Sequence, residues 1–289
     1  MKAFDYFSPK NMDEAFDLLI KYGNDAKLMA GGTDLIPQMK NEEINPKVVI
    51  DLKRIPDLNH ITSNGKQVKI GACVTIREIE ISSLIQQSLK TVAEAASQIG
   101  SVQVRNKGTI GGNLCHASPS ADLAPALIAF DGNVKIVGRK GERKEKIEDF
   151  LLGPGMTILQ PDEIVTEIQI PAPSANTGGV YLKFSPREAM DLAMVGVATL
   201  VTLDSSNYIC TKARIVLGAV APMPIRIKNA EKILEGKKIG RELIREVSII
   251  AVEEAKPISD IRGSDWYRKE IIKVLVEQGI HQAIEKAKL

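Results

Sequence analysis

Two short stretches bring together residue types that could grip a ligand. In KGTIGGNLCHASPSADLAP, residues 107–125, three glycines fall within five positions and are followed by Asn113, Cys115, His116 and Asp122. In KLMAGGTDL, residues 27–35, Gly31 and Gly32 lead from an apolar run into Thr33 and Asp34. Glycine has no Cβ, so successive backbone N–H groups in such loops can form concave nests for anions. One loop could hold one phosphate, and two converging loops could hold both phosphates of a dinucleotide. Thr33 and Thr109 would add hydroxyl donors, and Asp34, Asn113 or Asp122 would reach sugar hydroxyls. The plainer reading, a tight turn at each glycine pair, explains one pair better than it explains two.

Other chemistries fit less well. GTIGGN lacks the G-x-G-x-x-G spacing of a Rossmann turn, and neither loop ends in the Lys-Ser/Thr of a P-loop, so a dinucleotide here needs another fold. Adjacent Cys115 and His116 suggest a metal or a nucleophile. Adjacent ligands alternate in direction on an extended chain, and no second Cys/His pair stands at zinc spacing, so both read as supports for the loop. No G-x-S-x-G elbow occurs. His60 and His281 are isolated and expected at the surface or facing a partner. Arg187 and Asp191 are expected to form a loop-fixing salt bridge rather than to contact a nicotinamide nucleotide.

Composition narrows the function classes. The 289 residues suit two domains at ~100 to 200 residues each. With 4% aromatic residues and a net charge of +2, the chain has neither the stacking platforms nor the positive surface of a nucleic-acid binder. The one basic run, Lys135 to Glu148, reads as a solvated hairpin. No apolar segment approaches the ~18 residues of a membrane span, and no signal peptide is evident, so a cytoplasmic location is expected. Cys73, Cys115 and Cys210 are too few and too scattered for an iron–sulfur cluster within the chain.

The elements that must position these residues can be read from periodicity. Met12, Ala15, Phe16 and Leu19 mark a helix with Asn11 as N-cap, Glu14 in a capping box and Gly23 as stop. AKLMAGG and PKVVIDL (46–52) read as strands of a small βαβ-like unit. Asn64-Gly65 predicts a hairpin, helices fit 84–98 and 122–130, and a second hairpin surrounds Gly141. Residues 172–179 form the expected linker. Beyond it, three antiparallel strands joined by turns such as DSSN give way to helices from about Arg226. The fold class is α+β, with domains at 1–175 (subdomains 1–55 and 56–175) and 176–289.

AGGTDL at Ala30, TIGGN at Thr109 followed by SPSADLAP, YLKFSPREAMDLAMVGVA, and SDIRGSDWYRKEII near the end together resemble the FAD-binding medium subunit of the molybdenum hydroxylases. That family includes xanthine, nicotinate and carbon monoxide dehydrogenases, and the resemblance runs nearly the length of the chain. It implies a PCMH-type FAD-binding domain, of the vanillyl-alcohol-oxidase kind, followed by a C-terminal domain of the carbon monoxide dehydrogenase flavoprotein type. The wording of the motifs leans toward the xanthine or purine branch with NAD as acceptor. The scattered cysteines argue against the benzoyl-CoA reductase branch, whose insertion carries a further cluster.

The resemblance also implies site residues. Leu28, Met29, Ala30, Gly31, Gly32, Thr33, Asp34 and Leu35 would wrap the FAD pyrophosphate, with Thr109, Ile110, Gly111, Gly112 and Asn113 on its other side. Asp122 would accept from a ribityl or ribose hydroxyl. Ile99 and Gly100 would border the cofactor, Val165 would pack on it, Lys183 would reach it, and Tyr181 would flap over one flavin face. No residue of this chain would be catalytic. Hydroxylation would occur on a molybdopterin large subunit, and electrons would pass singly from 2Fe-2S clusters of an iron–sulfur small subunit through FAD to NAD or another acceptor. A dimer of heterotrimers is the implied assembly. The rival is a stand-alone flavin oxidoreductase acting directly on a small organic substrate, for which the C-terminal third looks small.

Overall fold

A computed structural model describes residues 1–187, 190–206 and 208–288. Glu188 and Ala189 of the SPREAMDLA motif, and Asn207 of the expected DSSN turn, lie outside the described residues. The chain opens with β1 (Asp5–Phe7), α1 (Met12–Tyr22), β2 (Ala26–Met29), α2 (Leu35–Lys40) and β3 (Val48–Asp51). Asn11 starts α1 by accepting the Glu14 amide at 2.9 Å, Glu14 accepts the Lys10 amide in return, and Gly23 ends it at φ +48°. The strands form a wholly parallel sheet, β1-β3-β2, with α1 packed against it through Ala15, Phe16 and Leu19. Strand β1 was not foreseen, because three residues are too short a run to show alternation.

The second region contains β4 (Ile61–Ser63), β5 (Gln67–Gly71), α3 (Ile76–Ile81), α4 (Ser83–Ser88), α5 (Lys90–Ser97), α6 (Val102–Arg105), α7 (Ile110–His116) and α8 (Leu123–Ala129). It continues through β6 (Asn133–Gly138), β7 (Gly141–Lys146), α9 (Ile147–Phe150), β8 (Leu151–Gly153), β9 (Met156–Thr157) and β10 (Glu163–Pro171). The main sheet, β4-β5-β10-β6-β7, is antiparallel throughout. Its apolar face, including Val68, Ile70, Ile136 and Ile168, packs against α5 and α8.

Two expectations for this region are corrected. The single helix over 84–98 is broken at Leu89, which leaves helical geometry at φ −138° while remaining fully buried. The glycine stretch at 110–116 is the short helix α7, capped by Thr109, rather than a loop. Two glycines cost helix propensity, but backbone bonds to the neighbouring Ala72 and Val74 hold the first turn in place.

The C-terminal domain comprises β11 (Thr177–Phe184), β12 (Val195–Leu203), β13 (Cys210–Gly218), β14 (Ile225–Arg226), α10 (Lys228–Leu234), α11 (Arg241–Glu254) and α12 (Asp265–Ala287). Its antiparallel sheet has four strands, β11-β12-β13-β14, where three were expected; the fourth is only two residues long. One face packs on the three helices, while Tyr181, Ala198, Leu200 and Val216 on the other join the core around α5 and α8. Strand β12 is therefore buried on both faces, which explains why apolar residues dominate it at both in- and out-facing positions. The expected linker is shortened because Gly178 and Gly179 belong to β11. A Cβ on Gly178 would strike the backbone of α12, and one on Gly179 would meet Thr91 Oγ1 at 2.5 Å.

A second seam between the domains is ionic. Asp131 accepts from Lys212 at 2.8 Å and from Arg214 at 3.2 Å, and Arg226 links it to Glu231. Among the described residues no helix is long and apolar enough to cross a membrane.

Candidate functional site

The two glycine loops meet. The first leaves the carboxyl end of β2, where Lys53 Nζ, itself paired with buried Asp51, donates to the Ala30 carbonyl at 2.9 Å. Gly31 then presses on the second loop so closely that a Cβ there would collide with the Lys107 carbonyl and stand 2.8 Å from Gly108 Cα. Gly32 turns the chain at φ +73°, a conformation that glycine adopts without penalty. The second loop is anchored from behind: Ile76 N–H donates to Gly108 O at 2.8 Å, Ile110 N–H to Val74 O at 3.1 Å and Gly111 N–H to Ala72 O at 2.9 Å. His116 Nε2 approaches Asp34 Oδ1 at 3.7 Å, a second link between the loops.

Between the loops lies a cleft of about 550 Å³. Of the residues singled out in the sequence, Leu28, Gly31, Gly32, Thr33, Asp34, Leu35, Ile99, Gly100, Thr109, Gly112, Asn113 and Asp122 line it. Met29, Ala30, Ile110, Gly111, Val165, Tyr181 and Lys183 do not. Met29 folds beneath the first loop, with its sulfur 3.2 Å from where a Gly32 Cβ would be. Ile110 is wholly buried, and a Cβ on Gly111 would meet Ala72 at 2.7 Å rather than enter the cleft. Val165 is buried in the core beneath.

Sequence reasoning missed Ile76 and Val104 as wall residues, and Met190 and Leu192, which close the cleft from the C-terminal domain. The helical N-cap of α3 at Thr75 was a usable signal for Ile76; nothing local marks Met190. The Arg187–Asp191 ion pair forms at 3.3 Å, and Asp191 lines both this cleft and a neighbouring cavity of about 660 Å³. His60 is not a free surface residue: its Nε2 pairs with Glu167 at 3.0 Å.

Three polar groups define the cleft chemically. Thr109 Oγ1 accepts the Gly112 amide at 3.1 Å as the N-cap of α7, which leaves its hydroxyl proton for another acceptor. Asn113 Oδ1 is buried and has no hydrogen-bond partner, an arrangement that is costly unless a ligand donor completes it. Cys115 also lines the cleft, and burial pushes its thiol up to about 12, so it stays protonated and unreactive at neutral pH.

Asp122 is the third group. It is 6% exposed, and its Oδ1 accepts from Tyr181 Oη at 2.8 Å while Oδ2 accepts from Lys183 Nζ at 3.0 Å. Burial pushes its carboxyl upward, and the neighbouring Lys183 ammonium and both hydrogen bonds oppose that. Tyr181 is 3% exposed, with burial and the Asp122 charge raising its phenol well above the usual value. The ring of Tyr181, expected as a flap, is enclosed and does not line the cleft. Lys183 likewise spends its ammonium on Asp122 and on the Gln98 carbonyl, at 3.0 Å each.

These features fit a flavin dinucleotide. The loops leave a cradle free of Cβ atoms at Gly112, where the nearest obstacle to a side chain would be Thr109 Oγ1 at 3.0 Å. An orphan acceptor and a buried carboxylate stand in the same wall.

Residues 2–173 match a family described as the FAD binding domain in molybdopterin dehydrogenase, and residues 180–283 match the CO dehydrogenase flavoprotein C-terminal domain. The carbon monoxide dehydrogenase medium chain of Hydrogenophaga pseudoflava is 35% identical over 97% of this chain and 96% of its own length. The xanthine dehydrogenase FAD-binding subunit of Escherichia coli is 30% identical over 98% and 96%. A solved structure of the Hydrogenophaga pseudoflava carbon monoxide dehydrogenase, in a form lacking the Mo-pyranopterin moiety of its cofactor, superimposes with a TM-score of 0.95 over 99% of this chain and 98% of the matched chain. With its FAD-binding domain, its C-terminal domain and its whole length matched in this way, the chain belongs to the FAD-binding medium-subunit family of the molybdenum hydroxylases.

Proposed function

We propose that this chain binds one FAD between its two glycine loops and serves as the electron-transfer subunit of a multi-subunit molybdenum-containing dehydrogenase. An iron–sulfur subunit and a molybdopterin subunit would complete the assembly, with NAD or another acceptor taking the electrons. The observation that carries the reading is the contact of Gly31 with Lys107 and Gly108, which brings the two glycine loops to one cleft. FAD, when bound, supplies a carrier able to take up electrons singly and release them singly or in pairs.

The chain's own residues bind and orient. The backbone of the first loop and the Thr33 and Thr109 hydroxyls face the pyrophosphate, the second loop supplies a surface without side chains at Gly112, Asn113 Oδ1 accepts from a ligand N–H or O–H, and Asp122 accepts from a sugar hydroxyl. Leu28, Ile76, Ile99 and Val104 exclude water from the cleft. Met29, Ala30, Ile110, Gly111 and Val165 shape that wall from behind. Residues 1–175 are assigned to the cofactor domain and 176–289 to the C-terminal domain, in keeping with the two family matches at 2–173 and 180–283. Three free thiols suit a reducing compartment, and the cytoplasm is the location we assign.

Relatives named for carbon monoxide and xanthine stand at 35% and 30% identity, too close together to single out the purine branch toward which the motifs leaned. The acceptor is therefore tested rather than assumed. Isolation of the native complex should yield this chain with an iron–sulfur protein and a molybdopterin protein, and its bound flavin should be reduced only in their presence. Rapid oxidation of a small alcohol or aldehyde by the isolated flavin-loaded chain would instead establish the stand-alone oxidoreductase.

A further inference from the structure

We propose that Tyr181 is a positioning residue of the cofactor site: from the C-terminal domain it fixes, beside Lys183, the Asp122 carboxylate in the cleft wall, and it acts on a bound dinucleotide only through that carboxylate. The inference rests on the FAD reading above and replaces direct contact by Tyr181 with an indirect role.

Tyr181 and Lys183 alternate along β11 and so project from the same face. Both end on Asp122, one on each carboxylate oxygen, across the domain boundary. Each oxygen of an ionised carboxylate has two acceptor sites, so Asp122 can hold both partners and still accept from a ligand in the cleft. A carboxyl this buried would favour its neutral form if left alone; Lys183 supplies the compensating charge and Tyr181 fixes the orientation.

The sheet is shaped to allow this. Gly196 on β12 lies opposite Lys183, and a Cβ there would stand 2.6 Å from the Tyr181 hydroxyl. Its cross-strand partner on β13 is Gly218, where a Cβ would stand 2.8 Å from Pro125 Cγ in the first turn of α8, the helix that follows Asp122. Neither glycine has the positive φ that would demand glycine for the backbone alone. The paired glycines therefore clear space for the tyrosine hydroxyl and for the helix that carries its acceptor. Because the pairing bridges two domains, cofactor binding and domain seating become one coupled equilibrium, each favouring the other.

The test is FAD titration of the full chain, followed by flavin fluorescence. Tyr181→Phe should weaken binding roughly tenfold, the range for losing a hydrogen bond to a charged group. Fluorescence per bound flavin should be unchanged, because no tyrosine ring is lost from the flavin face. Gly196→Ala, which touches no cleft residue except through Tyr181, should weaken binding to a similar degree. In a background carrying Asp122→Leu with Lys183→Met, which removes both charges and the acceptor of the Tyr181 hydroxyl, neither substitution should have a further effect on affinity.

Equal losses in both backgrounds, or a rise in fluorescence per bound flavin on Tyr181→Phe, would overturn the inference. If the double background does not fold, Gly196→Ala decides alone: a folded chain with wild-type affinity refutes the positioning role. A wild-type chain that binds no FAD refutes the underlying reading as well, and is recognised before any variant is made.

Discussion

Gly31 rests against the backbone of Lys107 with no room for a Cβ between them, and at that contact the two glycine loops become one wall of the cleft. Backbone cannot yield as a flexible side-chain end can, so Gly31→Ala must part the loops. The apo chain should lose roughly 2 to 3 kcal/mol of stability. FAD affinity should fall at least a hundredfold. Chemical denaturation and flavin titration measure the two losses separately.

Neighbouring glycines on α7 should behave oppositely. A Cβ on Gly111 would meet Ala72 Cβ and its carbonyl oxygen at 2.7 Å, whereas one on Gly112 would meet only Thr109 Oγ1 at 3.0 Å. Gly111→Ala is expected to destabilise the apo chain. Gly112→Ala should leave it within about 1 kcal/mol of wild type, since better helix propensity offsets the crowded cap. It should nonetheless weaken FAD binding about tenfold or more, because Gly112 lines the cleft.

Asn113 offers a test in which stability and binding separate. Its buried Oδ1 has no partner within the chain. Removing an unsatisfied acceptor relieves a penalty of about 1 to 3 kcal/mol. Asn113→Ala should therefore change apo stability little or raise it, while FAD affinity falls roughly tenfold. A thermal melt and a titration of the same preparation decide the point.

The ionic seam at Asp131 predicts acid sensitivity. Burial raises this carboxyl, but hydrogen bonds from Lys212 and Arg214 outweigh it and hold the group below the usual carboxylate range. Its stabilising contribution is complete above the unfolded-state value, about 3.9, and is lost as pH falls through the lower folded-state value. Asp131→Asn should be less stable than wild type at pH 6, by about 1 kcal/mol for this partly exposed group. The difference should shrink toward zero as pH falls below about 4. Urea unfolding midpoints at several pH values measure it.

How much of this was legible in sequence depends on distance along the chain. The helix α1 was readable because Asn11, Glu14 and Gly23 each act within one turn. The loop glycines were readable for the same reason, as residue types with local consequences. That Gly31 touches Lys107 was not readable, because a contact across some 75 residues leaves no periodic trace. Helix α7 was hidden by Gly111 and Gly112, although Thr109 followed by Ile110 and Leu114 carried a capping signal and a helical spacing.

The same limit explains Tyr181. Its partner Asp122 lies 59 residues earlier, and its burial depends on Gly196, which reads in sequence as an ordinary interruption of an apolar strand. Family resemblance pointed to residues that gather around one cleft but not to which of their side chains face it. That distinction required the packing of β11 and β12 against α5 and α8.

The central claim is that one FAD sits between the two loops, and equilibrium titration of the purified chain with FAD tests it most directly. The account predicts saturation at one flavin per chain, with Gly31→Ala reducing affinity at least a hundredfold in the same assay. Absence of binding by the wild-type chain, or wild-type affinity in Gly31→Ala, would contradict it.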